Sequence, residues 1–247
     1  MRGFKKYLLV EFKLFQREPE ALFFTLIFPL ILLFVFGSIY GNQPTPFFGG
    51  RGSVDVSVPA YISIIICITG FMNIPLSVAN EREKGILKRL RATPIQPQTI
   101  LTGWITMYFV VTMLGALLLI GAGKIFYNLR FDGNVVNFFI AFTLSTISFL
   151  SLGFMIASLA PTGRTASIMG TIIFFPMMFL SGATLPLQLM PETVRQISRL
   201  LPMTYMVQLL QGLWFGELWV EHLKEVIILA GILLVSALIA AKTFRWE

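Results

Sequence analysis

The chain has 247 residues, of which 56% are hydrophobic and only 13% charged, where a soluble domain carries about 25% charged residues. Its mean hydropathy is +0.80, and it contains 24 Phe and 11 Met. That balance excludes a water-soluble enzyme or binding domain, and the formal charge of +7 is accounted for by membrane topology and anionic lipid without nucleic acid.

In chain order, the opening stretch MRGFKKYLLVEFKLFQREPE sets Phe4, Leu8, Phe12 and Phe15 at helical spacing, with Lys6, Lys13 and Arg17 largely off that stripe. This predicts an amphipathic helix over residues 1–20, lying in the interface and ended by Pro19. It serves as a generic anchor or as the elbow helix of a transporter.

A bilayer crossing needs about 20 predominantly apolar residues. Six runs qualify: Ala21–Tyr40, Pro59–Ala79, Ile100–Gly121, Val135–Ala160, Ser167–Leu189 and Val226–Ala241, giving a six-span domain over 21–247. The first run is expected to stay in the membrane rather than be cleaved, because mostly polar or amphipathic residues precede it and no small-residue cleavage site follows.

Ionisable groups are nearly absent from the runs, which weighs against a proton-coupled carrier or an ion pump. Cys67 stands alone in the second run, so no intramolecular disulfide or cysteine metal site is expected. The fourth run carries Thr143, Ser145, Thr146, Ser148, Ser151 and Gly153, the composition of a helix-packing face or of a substrate-contacting one. The fifth run does not end as a simple helix: it and the stretch after it carry prolines at 176, 186, 191 and 202, with a Ser181-Gly182 pair between the first two. Broken backbone in lipid requires protein or water to replace lost partners. The span is therefore expected to end near Leu185, with short helices folding back into the outer leaflet over about 186–212, as a cap or a gate. His222, between Glu221 and Glu225, reads as an interfacial histidine, since a metal site converges three or four ligands.

The most charged stretch is EREKGILKRLRATP, residues 81–94. Placing both termini in the cytoplasm puts 13 of 19 Lys and Arg on the retained side, and this stretch with them. Ile86, Leu87 and Leu90 then form a short apolar face and Lys84, Lys88 and Arg91 a basic one, with Pro94 and Pro97 as stops. Periodicity leaves two readings: a helix that enters a pocket of another protein, or a solvated basic loop.

The stretch ANEREKGILKRLRATPIQPQTILTGW resembles the cytoplasmic motif of the ABC transporter type-2 permeases, carried by Glu81, Arg82, Glu83, Gly85, Leu90, Ala92, Thr93 and Pro94. FLSGATLPLQLMPETVRQISRLLPMTY is similar to the second motif of that family, through Phe179, Ser181, Gly182, Pro186, Pro191, Leu201, Pro202 and Tyr205. The resemblance covers nearly the whole chain, and the RLRATP form looks most like the daunorubicin-resistance type of drug-export permease.

It implies an all-α integral membrane protein with six transmembrane helices, an amphipathic N-terminal elbow helix, a cytoplasmic coupling helix and an outer re-entrant segment after the fifth span. Glu81, Arg82, Glu83, Gly85, Leu87, Leu90, Arg91, Thr93 and Pro94 would couple to a cytoplasmic ABC ATPase, present in two copies. Ser181, Gly182, Pro186, Pro191, Pro202 and Tyr205 would form the outer gate, and a second permease chain would complete the pathway.

No hydrolysis is expected of this chain. A phosphate loop needs Gly, four residues, then Gly-Lys-Ser or Gly-Lys-Thr, whereas Gly123-Lys124 has Leu118 and Ile125 in the flanking places. ATP and Mg would be bound by the partner, with no cofactor or metal in this chain. The expected function is outward movement of a hydrophobic or amphipathic substrate across the plasma or inner membrane by alternating access. A lipid-linked glycan or polysaccharide exporter is the near alternative, and an ATPase-independent biogenesis factor or a channel the distant one.

Overall fold

The computed structural model describes residues 2–91, 97–187 and 190–243, with the side chains of residues 2–7, 47, 90, 91, 97 and 98 outside the description. Among the described residues regular structure is helical, apart from a bridge between Thr45 and Arg51. Among those residues, six helices are long and apolar enough to cross a membrane.

Helix α1 (Arg2–Phe15) precedes the first span, which comprises α2 (Pro19–Leu22), a π turn at Phe23–Ile27 and α3 (Phe28–Tyr40). The second span comprises α4 (Ser53–Ile68), a π turn at Thr69–Asn73 and α5 (Ile74–Glu83), and α6 (Ile86–Arg91) follows it. Then come α7 (Pro97–Tyr127), α8 (Val135–Leu159) and α9 (Gly163–Leu180), which form the third, fourth and fifth spans. Two short helices, α10 (Glu192–Ser198) and α11 (Pro202–Trp214), lead to a 3-10 turn at Trp219–His222 and to α12 (Leu223–Thr243), the sixth span.

Several boundaries differ from the sequence expectation, and three differences have local reasons. The second span starts at Ser53 rather than Pro59, because the Asn42 side chain accepts from the Val54 and Asp55 amides and supplies the cap that composition hides. The fifth ends at Leu180 rather than near Leu185, where Ser181 leads into Gly182 at φ +90°. The stretch 81–94 is not one helix: α5 ends at Glu83 and α6 begins only after a left-handed turn at Gly85.

The second span is the axis of the bundle. Of its most apolar window 83% is buried, against 22% for the first span and 17% for the sixth, so those two form the rim. Cys67 is wholly buried in this axis. Glycines let the neighbours approach it backbone to backbone. A Cβ at Gly153 would lie 2.3 Å from the Gly70 carbonyl, and one at Gly170 only 1.9 Å from the Phe71 carbonyl, so small residues there are a steric requirement.

Both π turns are followed by proline in the first turn of the next helix, Pro29 and Pro75. Proline offers no N–H to the carbonyl four residues back, here Thr25 and Phe71, and the wider turn accommodates that gap. The two turns face each other: Asn73 Nδ2 donates to Thr25 Oγ1 at 2.8 Å, in the buried interior. Helix α1 covers Arg2–Phe15 of the expected 1–20 and rests on α7, where Phe15 meets Tyr108 edge-on at 6.4 Å.

The fourth-span hydroxyls resolve in part as packing. Ser148 donates to the Leu229 carbonyl at 3.0 Å, Ser151 to the Leu233 carbonyl at 3.3 Å, Ser236 to Ser151 at 2.8 Å, and Ser158 pairs with Thr243 at 2.7 Å. A polar seam thus runs along the contact of α8 with α12.

Candidate functional site

The end of the bundle where α5 stops gathers most of the residues that the first motif singled out. The chain leaves α5 through Lys84, whose amide bonds the Asn80 carbonyl at 2.9 Å, and Gly85, whose amide bonds the Arg82 carbonyl at 2.9 Å. Gly85 has φ +68° and open space where a Cβ would stand, so the backbone turn, not close approach of a neighbour, selects glycine.

Beyond it, α6 is pinned by Leu87, which is fully buried with Phe15, Ile100 and Trp104. Lys84, Lys88 and Arg89 face outward. The basic and apolar faces expected of this stretch are thereby separated as far as the described side chains reach. Leu90 and Arg91 lie on α6 with side chains outside the description, and Thr93 and Pro94 lie outside the described residues.

The three charged residues preceding the turn point elsewhere. Glu81 is only 8% exposed. The Arg82 guanidinium donates to the Ala157 carbonyl at 3.1 Å and also to the Ala160 carbonyl, at the C-terminal end of α8. Glu83 Oε2 accepts from the Gly163 amide at 3.0 Å, at the start of α9. Each charge suits the helix end it meets, since exposed carbonyls carry partial negative charge and exposed amides partial positive charge. Nearby, burial raises the Glu18 carboxyl above its ordinary range, with Lys84 opposing the rise.

At the far end the second group of predicted residues is dispersed. Ser181 is buried, and Gly182 and Pro186 border a cavity of about 630 Å³, whereas Pro191 caps α10 and Pro202 opens α11. Tyr205 donates to the Arg199 carbonyl at 2.6 Å, and its ring lies under Lys224 at 5.5 Å. The same cavity is lined by side chains that the sequence reading did not assign to the outer gate, among them Arg51, Gln211, Glu217, His222 and Glu225.

Arg51 stacks 3.4 Å above the centre of the Phe215 ring. His222 sits between Glu217, at 2.9 Å from Nε2, and Glu225, at 3.8 Å from Nδ1. Its ring occupies the space that a Cβ at Gly212 would take. Of the two carboxylates that the sequence sets beside His222, Glu221 and Glu225, only Glu225 is found against its ring; Glu217 is five residues away and comes close through the intervening turn.

Residues 3–215 match the family model described as ABC-2 type transporter. The chain belongs to the ABC-2 type transporter family. Among curated relatives, this permease is 26% identical over 160 residues to the probable multidrug ABC transporter permease YbhR of Escherichia coli (strain K12), a match covering 65% of this chain and 44% of YbhR. It is 25% identical over 206 residues to the putative transport permease ycf38 of Pyropia yezoensis, covering 82% and 70%. It is 27% identical over 153 residues to the inner membrane transport permease YhhJ of Escherichia coli (strain K12), covering 60% and 41%. The permease thus spans less than half the length of these two bacterial relatives. Its family and six apolar helices make it a multi-pass membrane protein of the transport-permease class.

Proposed function

We propose that this permease is the membrane subunit of an ATP-driven exporter that takes its energy from a separate ABC ATPase docked on α6. The observation that carries this reading is the arrangement around Gly85: a short helix anchored by buried Leu87 holds Lys88 and Arg89 outward, while Arg82 and Glu83 hold the same segment to the fourth and fifth spans. A partner that binds such a helix gains mechanical purchase on the bundle. The segment from Glu81 through Leu90 and Arg91 to Thr93 and Pro94 is the coupling region in this reading, with Gly85 as its turn.

Two ATPase copies carry the ATP and Mg, a second permease chain completes the pathway, and both termini face the cytoplasm. Ser181, Gly182, Pro186, Pro191, Pro202 and Tyr205 belong to the release end, and the cargo is a hydrophobic or amphipathic molecule, a reading supported by the likeness to YbhR, a probable multidrug permease. A nucleotide-driven switch requires that the ATPase bind the two permease states with different affinity, and α6 is the place where that difference would be felt.

The test is co-purification with the candidate ATPase in lipid and comparison with the double reversal Lys88→Glu with Arg89→Glu. Because an exposed ion pair is worth up to about 1 kcal/mol, two reversals are expected to weaken binding by about tenfold or more, with helix content unchanged. A native chain that binds no ATPase, or a reversal that binds as well as the native chain, defeats the reading.

A further inference from the structure

We propose that Arg82 and Glu83 are positioning residues that latch the end of the second span to the turn between the fourth and fifth spans, so that the α5–α6 corner and that turn move as one body. The inference rests on the exporter reading above and deepens it: it assigns these two charges to transmission inside the permease rather than to contact with the ATPase.

Three neighbouring side chains of α5 converge on a single short turn. Arg82 reaches the carbonyls of Ala157 and Ala160, where α8 ends. Glu83 reaches the amide of Gly163, where α9 begins. Asn80 fills the space beside Gly163 so closely that a Cβ there would lie 1.9 Å from Asn80 Oδ1. A cation on carbonyls and an anion on an amide give the grip a direction, since exchanging the two charges would set each against the helix end it faces.

The turn between them is braced on its own side, where the Thr162 hydroxyl accepts from the Thr165 amide at 3.2 Å. Deeper in the bundle the same three spans touch backbone to backbone at Gly70, Gly153 and Gly170. The latch therefore closes the end of a contact that is rigid along its length. A displacement of α6 pivots at Gly85 or is passed through Arg82 and Glu83 to the fourth and fifth spans.

Spin labels on cysteines at positions 84 and 164 bracket the latch. Lys84 and Arg164 are both exposed, and native Cys67 is buried. A second pair at positions 84 and 242 links the corner to the end of the sixth span. The permease is assembled with its ATPase in nanodiscs and measured without nucleotide and after trapping with ATP and vanadate.

The expected result is one narrow 84–164 distance that trapping leaves unchanged, together with an 84–242 distance that trapping shifts. In Arg82→Ala with Glu83→Ala the narrow 84–164 distance is lost. Should that variant fail to fold, Arg82→Lys alone keeps the charge but loses the two-carbonyl grip, and it gives a broadened distance. A double variant that keeps the narrow distance, or a native 84–164 distance that shifts on trapping, overturns the latch. If the native chain binds no ATPase, the exporter reading fails and takes transmission with it, while the 84–164 width in the chain alone still decides whether the latch exists.

Discussion

Glycine marks two different demands in this permease. Gly170 faces the Phe71 carbonyl so closely that any side chain would collide with backbone, whereas Gly231 on the sixth span has nothing within 4 Å of where its Cβ would be. Overpacking a tight contact costs about 1–3 kcal/mol or more. Gly170→Leu is therefore expected to destabilise the permease by at least that much, while Gly231→Leu changes stability little. Thermal unfolding in one detergent compares them directly, and equal losses would show that the close approach is not what holds the axis. Neither role could be assigned from the sequence, because both glycines sit in apolar helical runs and differ only in what lies opposite.

At the level of elements, the π turn at Thr69–Asn73 holds one residue more than an α turn needs, closed by a bond from Ile74 N to the Thr69 carbonyl. Removing a residue from an ordinary helix rotates everything beyond it by about 100°; removing one from a π turn restores the α repeat and leaves both flanks in place. Deletion of half-buried Met72 is thus expected to yield a folded permease with Arg82 and Glu83 still facing the fourth and fifth spans. Deletion of Val78, inside regular α5 and wholly buried, should turn both away and abolish folding. Expression and thermal midpoint of the two deletions decide it, and equal failure would mean that the π turn is required for itself.

For the molecule as a whole, the crossings were legible because lipid demands long apolar runs, and the two motifs were legible because their charged and proline residues interrupt those runs. Span ends were less so: Asn42 caps the second span from another segment, and the Gly85 turn divides a stretch whose composition reads as one helix. The partners of Arg82 and Glu83 lie about 80 residues further along, where spacing within one helix gives no signal. The far cavity was missed for the same reason, since Arg51, Glu217 and His222 come from segments that only the fold brings together.

The hydroxyl seam between α8 and α12 bears on how the chain is put together. The sixth span buries little of its apolar surface, and Ser148, Ser151, Ser158 and Ser236 add to its packing on the fourth span, each such bond being worth about 0.6 kcal/mol in a membrane. None of these bonds requires the connecting backbone. A permease severed before Trp219 should therefore recapture its last helix when that helix is co-expressed as a separate peptide, and Ser148→Ala with Ser151→Ala should reduce recovery of the two pieces as one complex. In that sense the sixth helix is a subunit that happens to be covalently attached.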